Sequence, residues 1–441
     1  MKFYNREKEI DRLREIQLLS RDNAQFTVLT GRRRVGKTQL LLKATEGQPT
    51  LYFFVSRKAE PFLCEDFELE IADKLQIPIL GNTQSFSALF KFLMQLSATR
   101  SFNLIIDEFQ EFLNINPSVY SDMQRDWDIL KSESRMNLLV CGSVHSLMHK
   151  IFEDYNAPLF GRATNFMRLK PFNVSVLRQI LSENHPDYTT EDLLGLYTFT
   201  GGVAKYVQLF VDNKALSFNK MLDFIIQEDA SFIADGKSML IEEFGKDYAV
   251  YFTILSAIAQ SENTRAKIET IVGREIGGYL TRMENDYGLI SKRVPVFSKS
   301  QTKNVRYVLD DNYLTFWFRF IYKYSYMIEI RQFDELRKIV ERDYATFSGK
   351  MLEKFFREKF IEQGGITNIG GYWDKSGENE IDLIVVNDIE KTAKVIEIKR
   401  KAKNIRYNLL KEKTANMLSK TNALKGYAID YLGLSMDDME K

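Results

Sequence analysis

Along the first third of the chain, short and almost uninterrupted apolar runs alternate with amphipathic stretches. The runs cover residues 26–30, 51–55, 104–106 and 138–141, and a last one near 166–169 ends at Pro171-Phe172. Between them the apolar positions recur at helical spacing, as in the segment from Glu7 to Leu19. Strands that are apolar on both faces and separated by helices predict a buried parallel sheet covered on both sides, the core of an α/β fold. From 173 to 235 the pattern is helical throughout, broken at Gly201-Gly202, as expected of a small helical lid.

The pattern changes again after that. Helical periodicity over 251–259, 267–272 and 277–286 is followed by alternating runs at 294–298 and 305–309 around a polar 299–304. Three helices and a two-stranded ribbon predict a winged helix-turn-helix over 236–310. Its third helix would present Arg274 and Arg282 and its wing Lys299 and Lys303, although Glu275, Glu284 and Asp286 dilute that charge. An aromatic helical stretch at 313–326 leads into 336–347, a helical connector over 311–347. The final unit, 348–441, reads as a helix (350–363), a strand hairpin (380–386 and 393–399) and a helix (405–418). The first unit is then 1–172, ahead of the lid.

Composition narrows the function classes. With 441 residues there is room for about three domains of roughly 150 residues. Hydrophobic content of 44% with 27% charged residues excludes a disordered or fibrous chain. A net charge of +1 means that any surface for a polyanion is local. Cys64 and Cys141 sit in apolar segments and build no disulfide framework, which suits a reducing compartment. His145, His149 and His185 add too little for a Cys/His zinc site. The charged start of the chain lacks the apolar core of a signal peptide, and no apolar run approaches the roughly 18 residues of a membrane span. A cytoplasmic protein with no membrane partner is expected.

Gly31-Arg32-Arg33-Arg34-Val35-Gly36-Lys37-Thr38 fits G-x-x-x-x-G-K-[ST], between the strand 26–30 and a helical run. Such a loop curls its backbone N–H groups toward phosphates at the positive end of a helix. Lys37 would reach the outer phosphates of ATP and the Thr38 hydroxyl would bind Mg²⁺. Asp107-Glu108 closes the strand 104–106, so Asp107 can hold the Mg²⁺ and Glu108 can deprotonate the attacking water. Arg32, Arg33 and Arg34 add positive potential beside the phosphates or form a solvated loop.

Over residues 1–235 these features resemble the AAA+ superfamily, in particular archaeal-type ATPases close to origin-recognition proteins. Phe3-Tyr4-Asn5-Arg6-Glu7 is similar to that family's adenine-side box. Leu139-Val140-Cys141-Gly142-Ser143 resembles the sensor strand, which implies that Ser143 contacts the terminal phosphate or the water. Pro158-Leu159-Phe160-Gly161-Arg162 resembles the finger box, which implies that Arg162 acts as an arginine finger and that the protein forms a homo-oligomer. Gly201-Gly202-Val203-Ala204-Lys205 resembles the second-sensor motif, with Lys205 where many relatives have the bidentate arginine.

At the other end of the chain, strand alternation puts Glu380 and Asp382 on one face, and Val395, Glu397 and Lys399 on one face of the paired strand. A hairpin can thus gather Asp382, Glu397 and Lys399, two hard oxygen ligands for Mg²⁺ or Mn²⁺ and a cation to steady an attacking water. The bland counterpart is a surface hairpin with a salt bridge. The arrangement resembles the PD-(D/E)XK nuclease superfamily, with Glu353 on an upstream helix as a further metal ligand, hence a C-terminal α/β restriction-endonuclease-like domain. Residues 391–425 carry many bases and only Glu397 and Glu412 as acids, the footprint expected for contact with DNA phosphates. The reading is an ATP-binding and hydrolysing DNA-processing protein with a metal-dependent nuclease domain. Its alternative is a nucleotide-controlled regulatory switch whose last domain binds DNA or protein without cutting.

Overall fold

Strand β1 (Gln25–Gly31) is buried on both faces and pairs in parallel with two neighbours, so it forms the axis of the first sheet. The sheet is completed by β2 (Thr50–Phe54), β3 (Phe102–Asp107), β4 (Met136–Cys141) and β5 (Asn165–Leu169), in the order β2-β3-β4-β1-β5 and parallel throughout. Successive residues face opposite sides of a strand. Val28, Ile106 and Val140 accordingly join one apolar cluster, and Leu29, Ile105 and Leu139 join the other. Helices Glu60–Leu75, Phe86–Leu96 and Ser118–Leu130 cover the first face, and Glu7–Leu19 and Lys37–Ala44 the second. Because all five strands run the same way, their C-terminal ends lie along one edge, where ligands of open α/β sheets bind.

The computed structural model describes residues 1–78, 81, 83–245, 248–299 and 301–440. Two compact units are present, residues 2–171 and, with Met1, residues 172 onward. The first is the sheet just described.

The second unit begins with helices Val174–Asn184, Thr190–Thr200, Ala204–Asp212, Phe218–Ile225 and Ser231–Phe244. Helices Tyr248–Ala259, Arg265–Val272 and Gly277–Asn285 follow, and then an antiparallel ribbon of β6 (Ile290–Arg293) and β7 (Arg306–Leu309). The first ribbon strand therefore lies at 290–293 and not at 294–298. Pro295 breaks the alternating pattern there, Phe297 has φ 66°, and the Val296 amide donates to the Gly371 carbonyl at 2.8 Å. Val296 belongs to the apolar core of the last sheet, so this segment serves another strand. Ser300, in the expected turn, lies outside the described residues, as do residues 246 and 247 within 236–310.

The first part of the aromatic stretch, Tyr313 to Ile321, is core, while Tyr326 at its end is exposed. Trp317 donates through Nε1 to the Ile233 carbonyl at 2.8 Å, and the Tyr313 hydroxyl to the Phe232 carbonyl at 2.8 Å. A single helix, Phe333–Gln363, then runs through the boundary drawn at 347/348. The last sheet has the order β11-β10-β9-β8, from β8 (Asn368–Trp373), β9 (Glu380–Asn387), β10 (Thr392–Ile398) and β11 (Ala428–Leu434). Helix Tyr407–Leu418 crosses between the parallel pair β10 and β11. Strands β8 and β11 have no counterpart in the sequence reading: Gly370-Gly371 interrupt β8, and Asp430 and Gly433 interrupt β11, so neither carries an unbroken apolar run.

Candidate functional site

Gly31 closes β1 with φ 149°, and a Cβ there would stand 2.6 Å from the Leu169 carbonyl oxygen, so only glycine lets the chain turn into the loop. The loop then passes through Arg34 at φ 68° and Gly36 at φ 100° into helix Lys37–Ala44. Lys37 is buried, and its ammonium donates to the Gly31 and Arg32 carbonyls at 2.9 and 3.2 Å. Burial draws its pKa down, against the opposing charges of Glu108 and Asp107. Arg32, Arg33, Arg34 and Thr38 are partly exposed along the same loop, and Val35 is buried beneath it.

Asp107 stands at the end of β3 and accepts four hydrogen bonds, all from neutral donors. Thr38 Oγ1 (2.6 Å) and the Tyr52 hydroxyl (3.0 Å) reach Oδ2; the Glu108 amide (2.9 Å) and Cys141 Sγ (3.0 Å) reach Oδ1. Burial together with the Asp107 charge pushes the Tyr52 hydroxyl and the Cys141 thiol pKa values up, so both remain protonated donors. Glu108 has φ 55°, a left-handed conformation that costs a non-glycine residue roughly 1–2 kcal/mol. That turn aims its carboxylate at Ser143, whose Oγ donates to Glu108 Oε2 at 2.7 Å and whose amide lies 3.3 Å away. Gln110 Nε2 donates to the same oxygen at 2.5 Å.

Thr38, Asp107, Glu108 and Ser143 are thus brought together with Lys37 at the strand ends. Arg162 is not among them; it donates to the Phe160 carbonyl and pairs with Asp128 at 3.2 Å. Lys205 is exposed on helix Ala204–Asp212 of the second unit. Tyr52 and Gln110 were missed by sequence reading. Tyr52 stands out only as a polar tip in an apolar strand, and Gln110 only as an amide two residues beyond Glu108.

In the second unit, β9 and β10 pair with Leu383 opposite Ile396, which places Asp382 beside Glu397. Asp382 Oδ2 accepts from the Ile398 amide and from Lys399 Nζ, both at 2.8 Å. Glu397 is buried; its Oε2 accepts from the Arg406 amide at 2.5 Å and its Oε1 lies 3.8 Å from Lys399. Burial works against the Lys399 charge, but Asp382, Glu397 and Glu353 outweigh it and raise its pKa. Glu353 projects from helix Phe333–Gln363, and burial and the neighbouring Asp382 push its carboxyl up to about 8. Among the described residues no group of three or more acid, cysteine or histidine side chains stands ready to hold a metal.

Part of the basic stretch is already engaged. Arg400 binds Glu191 and Ser348 Oγ, each at 2.5 Å, and Lys399 is taken by Asp382. Lys391, Lys394, Lys401, Lys403, Arg406, Lys411, Lys420 and Lys425 are exposed. Arg274 lies in the turn before helix Gly277–Asn285 and not on it, while Arg282 is exposed on that helix and shares a hydrogen bond with Tyr251. Among the described residues no helix is long and apolar enough to cross a membrane.

The parallel sheet, its glycine loop and the Thr38–Asp107–Glu108 cluster define a nucleotide-binding P-loop ATPase core. Residues 3–210 match the model of an ATPase domain found predominantly in Archaea, and 317–417 match a family of archaeal and bacterial proteins of unknown function. An uncharacterized protein of Methanocaldococcus jannaschii is 30% identical over 408 residues, 90% of this chain and 88% of that protein. The chain belongs to the same family as that protein. In fold it is similar to the Walker-type ATPase of Pyrococcus abyssi, at 20% identity and a TM-score of 0.55 over 72% of this chain and 96% of the other. The Aeropyrum pernix ORC2 protein aligns at 14% identity with a TM-score of 0.49, over 74% of this chain and 95% of the other.

Proposed function

We propose that the protein is a Mg-ATP-driven DNA-processing protein whose second unit cuts phosphodiester bonds with a metal ion. For the nucleotide site, the supporting observation is the convergence of Thr38, Asp107 and Glu108 beside a loop closed to any side chain at Gly31. A hydroxyl and a carboxylate are hard oxygen donors that fit Mg²⁺, which would neutralise phosphate charge when bound. Lys37 binds the outer phosphates, Glu108 takes the proton of the attacking water, and Ser143 orients the terminal phosphate or that water. Arg162 is then a finger supplied to a neighbouring copy, with Lys205 as the second sensor. Mixing Arg162→Ala with Glu108→Gln subunits should restore part of the hydrolysis at mixed interfaces; a strictly monomeric active protein would refute the finger.

For DNA cutting, the supporting observation is the meeting of Asp382, Glu397, Lys399 and Glu353 beside an exposed basic stretch. Asp382, Glu397 and Glu353 do not stand as a ready metal cluster, so they would hold Mg²⁺ or Mn²⁺ only after Asp382 gives up Lys399 and Glu353 its proton; Lys399 would then steady developing negative charge. The helices and ribbon over 236–310, as a winged helix-turn-helix, would dock the duplex. The test is divalent-dependent cutting of supercoiled plasmid, with and without ATP, by wild type against Asp382→Ala. A second reading, a nucleotide-controlled switch that binds DNA or protein without cutting, is favoured by the closed Lys399–Asp382 pair. If neither protein cuts duplex, single-stranded or branched DNA, that switch is the function.

A further inference from the structure

Gln110 has no solvent exposure, yet its amide is only half satisfied. Nε2 donates to Glu108 Oε2, while Oε1 has no hydrogen-bond partner among the described residues. Flipping the amide would set two acceptor oxygens against each other, so the orientation is fixed by Glu108. The amide is also wedged in place: a Cβ on Gly142 would collide with Gln110 Oε1 and stand 2.6 Å from Met148 Sδ. The short turn that carries it, Phe109–Glu111, is anchored by the Tyr120 hydroxyl on the Phe109 carbonyl at 3.1 Å and by the Glu111 amide on the Glu108 carbonyl at 2.9 Å. A buried polar group left half-paired, in a rigid turn, beside a carboxylate held in a left-handed conformation is an arrangement that packing alone does not require.

The three donors to Glu108, from Gln110 and twice from Ser143, all reach Oε2. Ser143 follows the strand end that faces the nucleotide, so its hydroxyl has a competing acceptor once a terminal phosphate is present. Gln110 is shut away from that space; the other acceptor its amide reaches, the Glu111 carboxylate, is already held by Arg57 and Asn114.

We propose that Gln110 is the positioning residue for Glu108, pinning Oε2 so that Oε1 faces the attacking water and keeping it pinned when Ser143 turns to the phosphate. This rests on the reading of Glu108 as general base. The test uses full-length protein, Mg-ATP and four variants: Gln110→Ala, Gln110→Met, Glu108→Gln and the double variant Glu108→Gln/Gln110→Met. Methionine fills the same space without a donor, so it separates packing from the hydrogen bond. Gln110→Met should lower kcat about 10–100-fold, the loss expected when a reacting group is misplaced by about 1 Å, with ATP affinity unchanged and a melting temperature no lower than that of Gln110→Ala. The double variant should be no slower than Glu108→Gln, because groups acting as one unit are non-additive. Wild-type kcat in Gln110→Met, or a double variant slowed by the full extra factor, overturns the positioning role while Glu108 keeps its own. If Gln110→Ala alone is slow, the side chain only fills space and the proposal fails. A wild-type rate in Glu108→Gln removes the general base and with it this inference.

Discussion

The two acidic sites of this molecule are built from similar side chains but start from opposite electrostatic positions. At the nucleotide site, Asp107 is surrounded by two hydroxyls, a thiol and an amide, and the lysine of the loop spends its donors on backbone carbonyls. A cation arriving at Asp107 displaces neutral groups and, among the described residues, breaks no ion pair of that carboxylate. At the second site, Lys399 sits on Asp382 at 2.8 Å, and Glu353 is held near neutrality by burial and by Asp382. A divalent ion must there compete with an internal cation and remove a proton from Glu353. The first site is poised to gain charge; the second has to exchange it.

The largest effects expected break this contrast outright. Lys37→Ala should abolish ATP binding by calorimetry, whereas Asp382→Ala or Glu397→Ala should abolish plasmid cutting and leave ATP hydrolysis as it was. Next, Glu108→Gln should bind ATP normally and hydrolyse it about 10²–10⁴-fold more slowly in single-turnover assays. A smaller change sharpens the neutral-donor side. Tyr52→Phe removes one hydrogen bond to a carboxylate, typically about 1.5–3 kcal/mol, and should shift the Mg²⁺ requirement for hydrolysis about tenfold or more.

The exchange side has a pH signature. Because the folded-state pKa of Glu353 is raised to about 8, its contribution to stability is complete below the ordinary glutamate range and is lost as pH rises through about 8. In metal-free buffer, wild type should therefore lose stability over that window, and Glu353→Gln should not; parallel melting curves would remove Glu353 from the neighbourhood of Asp382. Smallest of all, Lys401→Ala or Lys403→Ala should weaken binding to any DNA and lower the salt-dependence slope by about 1 each.

Much of the first unit was legible because its signals are local. Thr38 lies seven residues past the glycine that ends β1, and Asp107-Glu108 ends a strand that is apolar from Leu104. What stayed hidden depends on neighbours far along the chain: Tyr52 matters only because β2 lies beside β3, and Gln110 only because Gly142 leaves it room. In the second unit the hairpin of Asp382 and Glu397 followed from alternation alone. Segment 294–298 misled because apolar residues packed against a distant strand alternate just as ribbon residues do. Strand β8 was invisible, since Gly370-Gly371 are held by a sheet and not by any propensity of their own.

The helix Phe333–Gln363 carries a lesson for how such a protein could be taken apart. Its earlier turns press Tyr344 onto Phe218 and Phe199, with ring centres 4.6 and 5.8 Å apart, and its later turns place Phe355 against Tyr197 and carry Glu353 to the hairpin. One rod is thus shared by the helical body and the terminal sheet. A gene fusion or exchange with its seam near residue 348 would split that rod and leave each product with half of a buried surface. The terminal sheet is therefore no detachable cassette: a recombination junction that spares both partners has to fall upstream of the rod, and the acids of the second site travel with the aromatic body that precedes them.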